Sequence, residues 1–182
     1  MDLINFAKFV GKSKKIKRAG WVREGIKNSE TVAEHCFRLS VLSMVLAPQL
    51  GLDQNKLMKM ALIHDLGEIR TGDIVVERGR QIDLKMREEK EKLEKQIVED
   101  VLSKFEREYV AVFEEMVRRE TEEAKIFWQL DKLEMVTQAL EYEEEQQKDL
   151  TEFFDNAKLH IKHPVLLKIL EDMETRRPSK KS

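Results

Sequence analysis

Apolar residues recur three and four positions apart along nearly the whole chain, and nowhere alternate with polar ones over a strand's length. Steps of three and four return side chains to one face of a helix, whereas a half-buried strand needs a period of two. Val32, His35, Leu39, Leu42 and Leu46 form the clearest such stripe. Three prolines and seven glycines are too few to interrupt 182 residues often, and the abundant Glu, Lys, Leu and Met favour helix. The expected fold class is all-α, a single-domain helical bundle over 1–175 with a basic, disordered tail at 176–182.

Local signals mark where the helices begin and end. Leu3, Phe6, Phe9 and Val10 share one helical face, and Gly11 closes that helix. Thr31 and Glu34 have capping-box spacing at the start of a helix over 29–47. A turn is expected over 48–52, with Gly51 as the stop. Asp53 caps a helix running to about Leu66, and Gly67 lets it end in a loop over 68–76. The polar stretch 77–81 is a candidate mobile flap. A charged helix follows over 83–105, with Leu84, Leu93, Ile97, Val101 and Leu102 marking its buried side. Further helices are expected over 107–119, from a Thr121 cap onward, over 151–160, and over 165–173 behind Pro164.

The charge balance excludes several classes of function. With 33 basic and 35 acidic residues, no overall field draws a nucleic-acid polymer. The longest apolar stretch, Val41 to Leu50, is interrupted and too short for a bilayer, so no membrane partner is expected. A single cysteine, Cys36, forbids an intrachain disulfide, and no secretory h-region opens the sequence. These features point to a cytoplasmic protein.

Three places break the helical pattern by putting a polar group on a packed face. They are His35, the adjacent pair His64 and Asp65, and Asp131 on the line Phe127, Asp131, Met135. A lone inward histidine is commonly a hydrogen-bonded core residue, and two histidines can still be packing. An unpartnered carboxylate beside one of them costs several kcal/mol, of order ~3. A metal ion is one partner that satisfies all of these groups. Two imidazoles and two carboxylates suit a divalent transition ion, Mn, Co, Fe, Ni or Zn, better than Mg or Ca. Cys36, about 100° around the helix from His35, reads as a small core residue and not a ligand. His160 and His163 are set aside, since His163-Pro164 reads as a helix start.

Glu68 and Asp73 follow the His64-Asp65 pair within ten residues, as free carboxylates able to move a proton or hold a substrate hydroxyl. No Ser or Cys stands in a nucleophile motif, so the expected chemistry is hydrolysis by water that the metal activates. The basic run Lys14, Lys15, Lys17, Arg18 is either a solvated loop or a means of bringing the planar fork of Arg18 to a phosphate.

His35, His64-Asp65 and Asp131 resemble the H…HD…D signature of the HD-domain metal-dependent phosphohydrolases. The strings KRAGW at 17–21, ETVAEH at 30–35, ALIHDLGE at 61–68, TGDI at 71–74 and QLDKLEM at 129–135 narrow the resemblance. Together they resemble the branch of small HD proteins that act as 5'-nucleotidases on deoxyribonucleoside monophosphates. The resemblance implies a helical bundle of the HD-domain type with His35, His64, Asp65 and Asp131 as metal ligands. It implies that Arg18 binds the substrate phosphate and that Glu68 and Asp73 serve catalysis, Asp73 also contacting substrate. Trp21 matches a tryptophan that blocks a 2'-hydroxyl in bacterial members, although here Ala19 and Gly20 separate it from Arg18. It also implies a nucleotide partner and a homodimer, which the Met- and Phe-containing later helices could support. Two alternatives stand beside this reading. One is an HD phosphohydrolase of a triphosphate, cyclic dinucleotide or alarmone. The other is a non-catalytic helical interaction protein with a closed structural metal site.

Overall fold

The computed structural model describes residues 2–75, 77–78 and 81–178. Ten α-helices occur among them: α1 Leu3–Val10, α2 Ala19–Arg23, α3 Val32–Leu50, α4 Gln54–Ile63, α5 Glu68–Thr71, α6 Leu84–Leu102, α7 Arg107–Arg118, α8 Glu122–Gln146, α9 Thr151–His160 and α10 Pro164–Thr175. A 3-10 turn, Gly11–Lys15, continues α1 past the glycine expected to end it. The 25-residue α8 is the spine, packing against α3, α4, α7, α9 and α10, while α6 packs on α7. Leu39, Leu57, Met60, Phe113, Phe127, Leu130, Phe154 and Leu166 are fully buried between them.

The capping residues act as the sequence predicts. The Thr31 hydroxyl accepts from the Glu34 N–H while the Glu34 side chain accepts from the Thr31 N–H. Asp53 and Thr121 accept backbone N–H groups at the starts of α4 and α8, and Asp83, expected as the first residue of a helix, caps α6 in the same way. Such caps satisfy donors that the helix cannot satisfy itself, each contributing about 1 kcal/mol.

Several boundaries differ from expectation. Pro48 lies inside the last turn of α3 and not in a turn of its own. Proline has no N–H to give to the carbonyl four residues back. That carbonyl, on Met44, accepts instead from the Gln54 side-chain amide at 2.8 Å. Gly51, at φ 70°, then stops the helix in the left-handed region. α4 ends at Ile63, and the expected loop at Glu68 opens with the helical turn α5. Gly67 does not supply a left-handed stop, since its φ is −62°. Its missing side chain admits α6: a Cβ there would lie 2.5 Å from Glu94 Cγ and 2.9 Å from Glu94 Cα.

In α6 the expected buried side holds for Ile97, Val101 and Leu102 but not for its first half. Leu84 and Leu93 are exposed, and Glu94, Ile97, Val98, Val101 and Leu102 face inward. The first half of this helix borders a cavity and not the apolar core. The candidate flap falls partly on Gly79 and Arg80, which lie outside the described residues. Around them, Glu77–Arg78 pairs antiparallel with Gln81–Ile82, strands too short for alternation to be read in sequence. Arg177, assigned to the tail, donates to both Glu143 oxygens at 2.7–2.8 Å and stacks over Phe154. Residues 179–182 of that tail lie outside the described residues.

Candidate metal centre

Three helices deliver four side chains to one place. α3 presents His35, the residue after α4 is His64 with Asp65 next to it, and α8 presents Asp131. His35 Nε2 lies 3.2 Å from His64 Nε2 and 3.2 Å from Asp131 Oδ1. His64 Nε2 lies 3.1 Å from Asp65 Oδ2, and the crossed pairs, His35 to Asp65 and His64 to Asp131, are each 3.9 Å. Atoms ligating one ion at about 2.1 Å stand roughly 3.0–3.4 Å apart, so this spacing suits a shared cation.

Hydrogen bonds decide which atoms face the centre. His35 Nδ1 lies 2.5 Å from Glu134 Oε2, and His64 Nδ1 lies 2.9 Å from the Ala61 carbonyl. Both partners are acceptors, so each Nδ1 donates its hydrogen to them and each Nε2 is the atom turned toward the centre. Arg38 Nε donates to the second Glu134 oxygen at 2.8 Å, and its other nitrogens reach Gln138 and Glu141. This is the outer-shell arrangement that orients metal-binding imidazoles.

The electrostatics agree. Burial and Arg18 disfavour a charged His35, yet Glu134 and Asp131 outweigh them and push its pKa up to about 10. Burial opposes the charge of Asp131 too, but His35 and His64 hold its pKa well below the usual carboxylate range. Four electron-rich atoms in a buried place call for positive charge, and a divalent ion supplies it more fully than a proton.

The groups around the centre are tethered and not free. Arg18 Nη1 donates to Asp65 Oδ2 at 2.8 Å, and its Nε is 4.0 Å from Asp73 Oδ2. Burial works against the guanidinium charge, but Asp73 and Asp65 hold it firmly protonated. Asp73, expected as a free carboxylate, accepts the Ala19 N–H at 2.7 Å. Glu68, also expected free, is 1% exposed and pairs through Oε1 with Lys90 Nζ at 2.7 Å. Burial, then Asp65 and Asp73, raise its pKa well above the usual carboxylate value. Glu68 Oε2 has no hydrogen-bond partner.

Trp21 is buried; its indole N–H donates to Glu30 at 2.8 Å and its ring stacks on Phe153 at 4.4 Å. Cys36 is half-buried, and its Sγ lies within 4.8 Å of ligand atoms of His64 and Asp65, nearer than its helical angle suggested. A cavity of about 610 Å³ opens beside the centre, bordered by Arg18, Trp21, Asp65, Glu68, Asp73 and Asp131.

Sequence reasoning missed Glu134, Lys90 and Glu94. Glu134 and Arg38 each stand three residues after a candidate ligand, Asp131 and His35, and that shared helical spacing was the available signal. Lys90 and Glu94 sit in a stretch so dense in charge that nothing singles them out.

Residues 10–173 match the family model of the HD domain. A mouse protein named 5'-deoxynucleotidase HDDC2 is 33% identical over 177 residues, spanning 96% of this chain and 88% of that one. The zebrafish protein of the same name is 34% identical, spanning 97% and 88%. Among solved structures, a conserved hypothetical protein from Pyrococcus furiosus superposes with a TM-score of 0.77 at 34% identity, covering 94% of this chain and 99% of that one.

Proposed function

The chain belongs to the HD-domain family, and on that premise we propose that it is a divalent-metal-dependent 5'-nucleotidase. Its reaction converts deoxyribonucleoside 5'-monophosphates to nucleoside and phosphate. The observation that carries this reading is the meeting of two imidazole Nε2 atoms and two carboxylate oxygens beside a cavity guarded by Arg18. Relatives named 5'-deoxynucleotidase support the substrate class.

His35, His64, Asp65 and Asp131 hold the ion, and their mixed nitrogen and oxygen character suits Mn, Co, Fe, Ni or Zn. When bound, the ion supplies Lewis acidity, lowering the pKa of water and polarising a phosphoryl oxygen. Arg18 receives the phosphate with a guanidinium already braced by Asp65 and Asp73. Glu68 offers its unpartnered Oε2 as the group that holds or moves a proton as the P–O ester bond breaks. Asp73, aligned by the Ala19 N–H, braces Arg18 and contacts the sugar. Trp21, locked by Glu30 and Phe153 at the edge of the cavity, is the residue to which we assign discrimination against a 2'-hydroxyl.

A larger, more highly charged nucleotide would need free basic groups along the cavity. Arg23, Arg87, Arg119 and Lys125 border it, but Glu152, Glu91 and Glu122 already pair with them, and Lys162, also at its edge, donates to the Lys158 carbonyl. That pairing favours the monophosphate.

The reading includes a cytoplasmic homodimer. No helix of the described residues is long and apolar enough to cross a membrane. Phe113, Met116 and Phe127 of the later helices are buried in the chain's own core. Among the described residues α3 carries an exposed apolar stripe, Phe37, Val41, Met44 and Val45 at helical spacing, in a chain that is 37% charged. Such a stripe suits burial against the same stripe of a second copy.

The test is phosphate release from deoxyribo- and ribonucleoside monophosphates under Mn or Co. Release is expected from the deoxy compounds and is abolished in His64→Ala. No release from any nucleotide with any divalent ion refutes the reading, and a preference for ribonucleotides refutes the role given to Trp21.

A further inference from the structure

We infer that Lys90 is a positioning residue of this reaction, holding Glu68 at the edge of the metal centre from a helix that contributes no ligand. The inference rests on the nucleotidase reading and extends the site to α6.

Lys90 Nζ donates to Glu68 Oε1 at 2.7 Å and lies 3.5 Å from Glu94 Oε1. The three groups are enclosed: the side chains of Lys90, Glu68 and Glu94 are 16%, 1% and 9% exposed. All three border the cavity beside Asp65 and Asp131. An ammonium so placed anchors one Glu68 oxygen and leaves Oε2 unpartnered. Glu68 and Glu94, with Asp65 behind them, keep Lys90 charged against its burial.

Stability is a poor reason for this cluster. Enclosing an ammonium between two acidic groups incurs desolvation that the mutual attraction only roughly offsets. The chain also makes room for it. α6 reaches this depth only because position 67 is glycine, where any Cβ would meet the backbone of Glu94 at 2.9 Å. Elsewhere the charged residues of α6 pair on the surface, as Lys85 does with Glu89. The helix therefore brings one lysine inward to a place where a proton-moving carboxylate needs a fixed orientation.

The experiment compares Lys90→Met, Lys90→Arg, Glu68→Gln and the double variant Lys90→Met/Glu68→Gln. It measures phosphate release from dAMP under Mn, calorimetric Mn binding and thermal unfolding. Lys90→Met is expected to lower kcat about tenfold to a hundredfold. KM and Mn affinity stay within about threefold, since Lys90 touches neither phosphate nor ion. Lys90→Arg recovers most of the loss, and the double variant is no slower than Glu68→Gln alone. Lys90→Met also lowers Tm less in the Glu68→Gln background than in the unaltered chain. If Lys90→Met does not fold, Lys90→Gln takes its place in the same comparisons.

A kcat within twofold of the unaltered chain overturns the inference, as do losses from the two single variants that multiply. Should the unaltered chain release no phosphate, the nucleotidase reading falls. The thermal comparison then decides the Lys90–Glu68 contact by itself, and additive losses in Tm overturn it.

Discussion

Glu134 Oε2 lies 2.5 Å from His35 Nδ1, and this contact between buried groups on α8 and α3 fixes which imidazole nitrogen faces the metal centre. The same carboxylate is gripped from the other side by Arg38, so the acceptor that orients the ring is itself held in place. An outer-shell carboxylate of this kind orients the ligand and raises its basicity.

Replacing that carboxylate should therefore weaken the centre without removing a ligand. Glu134→Gln is expected to lower Mn or Co affinity by about 10-fold to 100-fold. Isothermal titration calorimetry reads the change, and an unchanged affinity would separate Glu134 from the centre.

Metal removal should lower stability, because the four converging atoms then face one another with no cation between them. Restoring Mn to about 100 times its Kd should add about 2.7 kcal/mol. For a chain of this size that is a rise in Tm of roughly 5–10 °C over the chelated protein. Differential scanning calorimetry with and without chelator checks it. Equal transitions in both would mean that the folded chain holds no ion.

Glu94 gives the protein a pH-dependent stability. Its burial pushes the carboxyl up to about 7, with Lys90 pulling the other way, while the unfolded chain titrates near the ordinary 4.5. Between those values the folded protein keeps a proton that the unfolded chain has released. The contribution is thus complete below about pH 4.5 and is lost as pH rises to about 7. It amounts to at most about 3 kcal/mol. Glu94→Gln should lose less stability than the unaltered chain over that window. Parallel plots of Tm against pH for the two proteins would contradict the assignment.

Gly67→Ala should be costly although its backbone φ is ordinary at −62°. The added Cβ would fall 2.9 Å from the Cα of Glu94, so helix backbone must move and not merely a side chain. Overpacking of this kind costs about 1–3 kcal/mol, and urea denaturation is the measurement. A midpoint unchanged from the parent would show that α6 can retreat freely.

Phe37→Glu should yield a protein with the mass of one chain by light scattering, whereas the parent should show two. Phe37 is 71% exposed, so the change leaves the fold intact while placing a charge in the apolar stripe. A parent that is already monomeric would remove the stripe as a dimer surface.

How much of this was readable in the sequence depended on contrast with neighbours. His35, Asp65 and Asp131 stood out because each interrupts an apolar helical face, and burial makes such an interruption expensive. Cap residues were legible because their chemistry is local: Thr31, Asp53 and Thr121 each satisfy an N–H three residues ahead. The inward turn of Lys90 was not legible, since α6 carries charge on every side and its orientation is set by α7 and by the absence of a Cβ at Gly67. For the same reason Leu84 and Leu93 were assigned inward and proved exposed. Pro48 was assigned to a turn because the acceptor problem it creates is solved by a partner, Gln54, that lies beyond the helix.

The proposed ligands come from positions as far apart as His35 and Asp131, and the second of these belongs to the helix on which most of the others rest. A chain still emerging from synthesis, with everything before α8 in place, would possess both imidazoles but only half the carboxylates. Tight capture of an ion must therefore wait until the spine is seated. Once captured, the ion closes a loop of roughly a hundred residues, and closing long loops removes the most freedom from the unfolded chain. The centre is thus a fastener that can close only once α8 is seated, and its occupancy records that α3, α4 and α8 have come together.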